Sequence, residues 1–229
     1  MIRLENVKRT YSRHGQTVTA LQCDELRISA GEYVAVVGPS GSGKSTLLSL
    51  LGGMLSPTSG RIWLDGTSVY EQSVVARSTL RRERMGFVFQ TFNLIPYLTA
   101  LENVQVPLAL NGVALDLQEG LASAMLQRFG LGDRLHHKPS EMSVGQQQRV
   151  ALARTLVNDP QIILADEPTG NLDPASREVV LKAFDTCCDE GRTIITVTHD
   201  IAAAARAQRR LMLNNGYISE EPSSRVKVA

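Results

Sequence analysis

The stretch EYVAVVGPSGSGKSTLLSLLGGM (residues 32–54) decides the fold. Its first part is a short, β-branched apolar run that stops at Gly38, the pattern of a buried strand. Its last part, from Lys44, reads as a helix stopped by Gly52 and Gly53. Between them GPSGSGKST (residues 38–46) has the form G-x-x-x-x-G-K-[ST], with the preceding strand and following helix that this motif requires. The spacing has a chemical reason. Gly41 and Gly43 let the backbone wrap close to phosphate oxygens without a Cβ in the way. The loop N–H groups and the helix N-terminus carry about half an elementary charge in all. Lys44 adds a full charge toward the β- and γ-phosphates, and Ser45 offers a hydroxyl to Mg²⁺. Gly38, Pro39, Ser40, Ser42 and Thr46 complete the candidate phosphate-binding loop.

Outward from this unit, IRLENV and TVTALQCDELRIS alternate like strands, GRIWLDG is a strand between turn glycines, and MGFVFQ (residues 85–90) is a buried strand. From Thr91 to about Asn158 the pattern turns helical. Strands return at QIILADEP and RTIITVTHD, separated by the helix ASREVVLKAFDTCCDEG. This alternation predicts an α/β core (residues 1–90 and 159–229) with a helical segment (91–158) inserted in it. The core sheet is expected to be mostly parallel, with antiparallel strands from the N-terminal region.

QIILADEPTG (residues 161–170) supplies the second half of a phosphate site. Asp166, at a strand end, can hold Mg²⁺ opposite Ser45. Glu167 points elsewhere, because strand side chains alternate, and is available to orient or deprotonate an attacking water. His199 also ends a buried-type strand. Parallel strands deliver Gly38, Asp166 and His199 to one sheet edge, where ligands bind in such folds. Gln90 ends its strand in the same manner and can sense Mg²⁺ or water.

Composition narrows the alternatives. The 229 residues carry 24 Lys+Arg against 23 Asp+Glu, a balance that argues against a dedicated nucleic-acid binder. The basic run RSTLRRERM (residues 77–85) reads as a solvated helix face. Three cysteines, Cys23, Cys187 and Cys188, lack metal-ligand spacing, which suggests a reducing compartment and packing roles. The N-terminus is charged from its third residue and has no apolar leader pattern. The densest apolar run, LLSLLGGML, is too short to span a bilayer, so the chain is expected to be soluble and to reach a membrane through a partner.

SEMSVGQQQRVALAR (residues 140–154) is a polar loop running into a periodic helix, with an unusual density of hydrogen-bonding groups around Gly145. With this stretch the motifs fall into the order of the ATP-binding-cassette (ABC) transporter ATPases, which the chain resembles over nearly its whole length. GPSGSGKST resembles the Walker A loop, VFQTFNL the Q-loop with Gln90, MSVGQ the signature motif, IILADEP the Walker B strand with Glu167, GNLDP the D-loop with Asp173, and VTHD the switch histidine, His199. Tyr11 falls where the family places an aromatic that stacks on adenine. The wording around FNLIPYLTALENVQVPL, PSEMS and QQQRVALARTLVNDPQIILADEPTGNLD resembles the lipoprotein-releasing and macrolide-efflux branch.

The resemblance implies a P-loop NTPase fold, ATP and Mg²⁺ as ligands, and ATP hydrolysis with Glu167, His199 and Gln90 catalytic. It implies a homodimer sandwiching two ATP molecules, in which Ser143, Val144, Gly145, Gln146 and Asp173 contact the ATP of the partner. It also implies an integral membrane permease as second partner, placing the chain peripherally on the cytoplasmic face of the inner membrane. A cleft near Gln90 lined by Phe92, Leu94, Ile95, Tyr97 and Leu98 is expected to receive that permease. Two other readings stay open: a relative outside transport, and a nucleotide-gated module with weak hydrolysis. Val144 departs from the family glycine. A positive φ there would strain a valine by about 1–2 kcal/mol and weaken dimer closure; a negative φ with an outward side chain would cost almost nothing. The expectation is a weakened composite site, with normal ATP binding by the monomer but reduced dimer closure and turnover.

Overall fold

The computed structural model describes residues 1–13, 15–170 and 172–220. Asn171 of GNLDP and residues 221–229 of the expected core segment lie outside them. Strand β3 (Tyr33–Val37) is the apolar run that precedes the phosphate loop, and α1 (Lys44–Leu51) follows it. Before it come β1 (Ile2–Arg13) and β2 (Gln16–Ile28), an antiparallel pair running from Ile2↔Ile28 to Arg13↔Gln16. After α1 come β4 (Ser59–Leu64), β5 (Thr67–Ser68), α2 (Val74–Arg84) and β6 (Met85–Phe89). Helices α3 (Ala100–Leu110), α4 (Leu115–Arg128) and α5 (Val144–Leu156) fill the middle. Then β7 (Ile162–Asp166), α6 (Pro174–Asp189), β8 (Thr193–Thr198), α7 (Ile201–Ala204), β9 (Arg209–Asn214) and β10 (Tyr217–Glu220) complete the described chain.

The strands form one sheet in the order β5-β4-β1-β2-β10-β9-β3-β8-β7-β6. From β9 to β6 neighbours run parallel, and β1, β2, β4 and β5 pair antiparallel, as the sequence predicts. The register aligns the strand ends: Val37 pairs with Thr198, Asp166 with Val197, and Phe89 with Asp166. The residues that follow, Gly38, Gln90, Glu167 and His199, therefore leave the sheet at one edge.

The parallel strands alternate between two hydrophobic clusters with period two. Val34, Val36, Ile162, Leu164, Ile195 and Val197 face the cluster shared with α1 and the antiparallel strands. Tyr33, Ile163, Ala165 and Ile194 face the cluster shared with α3, α4, α5 and α6. The inserted helices thus have no core of their own; Val150, Leu152, Ala153 and Leu156 of α5 join them to the sheet. Helix α2 buries none of its residues, as expected for its basic face. Cys23 and Cys187 are buried and Cys188 half-buried, all as free thiols. No helix among the described residues is long and apolar enough to cross a membrane.

Candidate active site

The phosphate loop is held open by backbone geometry. Gly43, the N-cap of α1, sits at φ 108°, and a Cβ there would overlap the carbonyl oxygen of Ala20 on β2. Gly41, at φ 77°, faces open space. The two glycines therefore serve different needs: Gly41 a left-handed turn, Gly43 a turn plus close approach to a neighbouring strand. Lys44 folds over the loop, its Nζ donating to the carbonyls of Gly38 (2.8 Å) and Pro39 (3.0 Å). An ammonium has three donors, so one remains for a phosphate oxygen.

In front of the loop lies a cleft of about 630 Å³ lined by Ser40, Gly41, Gly43, Lys44, Ser45, Thr46, Gln90, Asp166, Glu167 and His199, with Ala20, Phe89, Thr91 and Asn93. Sequence reasoning did not single out these last four; nothing distinguishes Thr91 and Asn93 from ordinary turn residues. The Ser45 hydroxyl and the Asp166 carboxylate offer the hard oxygen donors that Mg²⁺ takes when the remaining ligands are phosphate and water. No group of three or more His, Cys, Asp or Glu suited to a metal exists among the described residues. Two oxygen donors fit a metal whose other ligands are phosphate and water.

Glu167 has φ 46°, a left-handed conformation that strains a non-glycine residue by about 1–2 kcal/mol. Two contacts hold it there. Its N–H donates to the Val197 carbonyl (2.9 Å), and its carboxylate meets His199, with Oε1 3.0 Å from Nδ1 and Oε2 accepting the His199 backbone N–H at 3.3 Å. An ionised Glu167 fixes Nδ1 as a protonated nitrogen. Each carboxylate oxygen keeps a second lone pair for water. Beneath this turn the wholly buried Gln148 of α5 donates to the Pro168 carbonyl (3.0 Å), a link that the sequence pattern does not disclose.

Ser143, Val144, Gly145, Gln146 and Asp173 lie outside the cleft lining. Ser143 caps α5 in a reciprocal box: its Oγ accepts the Gln146 N–H (3.3 Å) and its N–H donates to Gln146 Oε1 (2.9 Å). Of the groups expected to bind a partner's phosphate, the Gln146 N–H is thus already engaged, which leaves the first-turn N–H groups of Val144 and Gly145. Gly145 is a glycine for a local reason, since a Cβ there would overlap the Ser176 hydroxyl. Asp173 caps α6, Oδ1 accepting from the N–H groups of Ala175 and Ser176 (both 3.0 Å). The Ser176 hydroxyl and amide hold its carboxyl below the usual range.

Val144 is the first residue of α5, is 49% exposed, and is absent from the residues with positive φ. The strain that would weaken closure is missing. Under the expected ATP hydrolysis, Val144→Gly should change the rate by less than about fivefold, since it trades a branched side chain for a backbone-entropy cost below about 1 kcal/mol. A tenfold gain in phosphate release would restore the weakened-site reading. Tyr11 also lies outside the cleft lining; it pairs with Val18 and is 41% exposed under the Arg9 guanidinium, 4.6 Å from the ring centre.

The residues expected to line the partner groove differ in burial. Phe92 and Leu94 pack against the helical core, and Ile95 and Leu98 are half-buried, leaving Tyr97 exposed at 73%. Their loop is tied down from below. Buried Asn103 bonds to the backbone of Ile95, Leu98 and Thr99, and Arg154 bonds to the carbonyls of Phe92 and Asn93. The more apolar cleft, of about 520 Å³, lies next to this loop and is lined in part by Met54, Phe87, Phe89, Val106, Leu110 and Arg154.

The family model described as "ABC transporter" matches residues 21–170. This chain belongs to the ABC transporter family. It is 45% identical over its full 229 residues to the macrolide export ATP-binding/permease protein MacB of Hyphomonas neptunium, of which it spans 36%. It is 44% identical over 218 residues to the uncharacterized ABC transporter ATP-binding protein YvrO of Bacillus subtilis, covering 95% of each. Among solved structures it is similar to the dimeric post-hydrolysis state of the ATP-binding cassette MJ0796 bound to ADP and Pi. There the TM-score is 0.90 and the identity 40%, over 97% of this chain and 98% of that one. The chain thus spans about a third of the length of the MacB relative it matches, and its fold is that of the ABC ATPase cassette.

Proposed function

We propose that this cassette binds ATP with Mg²⁺, dimerises on it, and hydrolyses it to drive a membrane permease of the MacB type. The observation that carries the reading is the convergence of Lys44, Ser45, Gln90, Asp166, Glu167 and His199 on one cleft. Lys44 and the N-terminus of α1 receive the phosphates and offset their charge. Ser45 and Asp166, with Gln90 nearby, would hold Mg²⁺, which when bound would add charge neutralisation at the phosphates. Glu167 orients the attacking water and accepts its proton, and His199, fixed by Glu167, meets the γ-phosphate side. Tyr11 supports the adenine. Ser143, Val144, Gly145, Gln146 and Asp173 serve the ATP held by a second copy of the chain, with residues 91–158 as the subdomain that carries them. The likeness to a dimeric cassette bound to ADP and Pi supports this arrangement.

The test is phosphate release from Mg-ATP by the full chain. A rate no higher than that of buffer, equal to that of a Glu167→Gln control, would overturn the reading.

Similarity to MacB proteins supports a permease partner and a peripheral position on the cytoplasmic membrane face. The apolar cleft around Met54 and Leu110 is the surface proposed for it; these residues are 49% and 63% exposed. Burying a side chain of this kind contributes about 1.5–3 kcal/mol. Met54→Ser with Leu110→Ser should therefore weaken recovery of the permease in pull-downs from detergent-solubilised membranes by about tenfold or more. Mg-ATP affinity should stay unchanged. Loss of recovery on Tyr97→Ser instead would move the docking site to the 91–99 loop.

A further inference from the structure

The segment that carries His199 is clamped to α6 at both ends by oppositely signed pairs. At its start, Asp200 directly follows His199. Asp200 Oδ1 accepts the N–H groups of Ala202 (2.9 Å) and Ala203 (3.2 Å), capping α7. Its Oδ2 lies 3.0 Å from NH1 of Arg177 on α6. At its end, Arg206 pairs with Glu178 (2.7 Å) and Asp185 (2.5 Å), also on α6. The adjacent residues Arg177 and Glu178 thus grip opposite ends of one short segment with opposite charges, which fixes its register along α6.

We propose that Arg177 is a positioning residue for His199, acting through Asp200. The Asp200 side chain is 19% exposed. The Arg177 Nε and the Asp200 Oδ2 are both shielded from water with no hydrogen-bond partner among the described residues, so the 3.0 Å contact joins the two side chains as charges and not as a hydrogen bond. A guanidinium left in solvent would avoid that cost, and the ion pair holds it in place. The imidazole itself is 70% exposed and touches Glu167 through Nδ1, so its approach to a bound triphosphate depends on how the backbone at 199–200 is held. Arg177 sits one residue beyond Ser176, the residue against which Gly145 of the signature helix packs. The same turn of α6 therefore touches the surface offered to a partner's ATP and holds the histidine of the chain's own cleft.

The inference rests on the hydrolytic reading, and the experiment separates the two. Arg177→Gln and Asp200→Asn, alone and together, are assayed for phosphate release from Mg-ATP and for affinity toward a fluorescent ATP analogue. Asp200→Asn keeps an oxygen that can cap α7, and it replaces the charged oxygen facing Arg177 with an amide donor. Each single change is expected to lower kcat by about tenfold or more, as a displaced catalytic group does, with nucleotide Kd within about twofold. The double variant should fall no further than the singles, because both remove one interaction. Arg177→Lys should recover part of the rate. A kcat within about twofold of wild type in Asp200→Asn, or additive losses in the double variant, would overturn the proposal while leaving the ATPase reading intact. A wild-type chain that releases no phosphate would overturn the reading beneath it.

Discussion

Glu167→Gln is expected to lower kcat for ATP hydrolysis by about 10²–10⁴-fold, the range supplied by a positioned general base. Mg-ATP affinity should hold within about twofold, because Lys44, Ser45 and the loop amides proposed to receive the phosphates are untouched. ATP bound without turnover should then hold the closed dimer, seen as a stable doubling of mass by light scattering when Mg-ATP is added. The size of the loss follows from two functions in one side chain. The amide cannot accept the proton of the attacking water. It also cannot accept from both His199 Nδ1 and the His199 backbone N–H as the carboxylate does, at 3.0 and 3.3 Å, because one of its two positions becomes a donor. His199→Ala should cost less than Glu167→Gln, since it removes the partner and leaves the base. Turnover by Glu167→Gln within about threefold of wild type would remove Glu167 from the base role.

The cleft was legible in the sequence wherever a motif residue sits at the end of a buried strand. The run YVAVV fixes where β3 stops, and IILAD and TIITVT fix β7 and β8. Parallel pairing then leaves Gly38, Glu167 and His199 little freedom but to meet. What spacing could not show are contacts between side chains far apart in sequence. The Glu167–His199 pair, Gln148 under Pro168, and Gly145 against Ser176 each depend on how two elements approach. For Gly145 the difference changes the argument: the motif suggests a glycine kept for a partner's phosphate, whereas the packing gives it a reason inside its own chain. Strand β9 escaped notice too. RRLMLN opens with two arginines, and its membership of the sheet is set by β3 beside it. Whether Val144 is strained depends on one backbone angle, which is not positive, and composition does not encode it.

Gly43→Ala should disable nucleotide binding far more than Gly41→Ala, although both glycines belong to one loop. At Gly41, φ 77° with open space beyond, an alanine meets only conformational strain, about 1–3 kcal/mol. At Gly43 the φ of 108° is farther from any basin an alanine enters readily, and the new methyl group would also overlap the Ala20 carbonyl. The strain adds to a steric conflict with backbone on β2, which cannot swing aside as a flexible side chain would. Relief requires the start of α1 to shift, and with it the N–H groups and Lys44 that meet the phosphates. Since about 1.4 kcal/mol is a factor of ten, Gly43→Ala is expected to weaken Mg-ATP binding by about a hundredfold or more and to lower the thermal midpoint of the apo chain by several degrees. Gly41→Ala should stay within about tenfold for binding, and Gly41→Asn should do better still, because asparagine enters the left-handed region more readily. Titration of a fluorescent ATP analogue against the three variants gives the ordering directly. Equal losses at the two glycines would mean that β2 yields to the methyl group, and that the loop's shape is set by its own torsions alone.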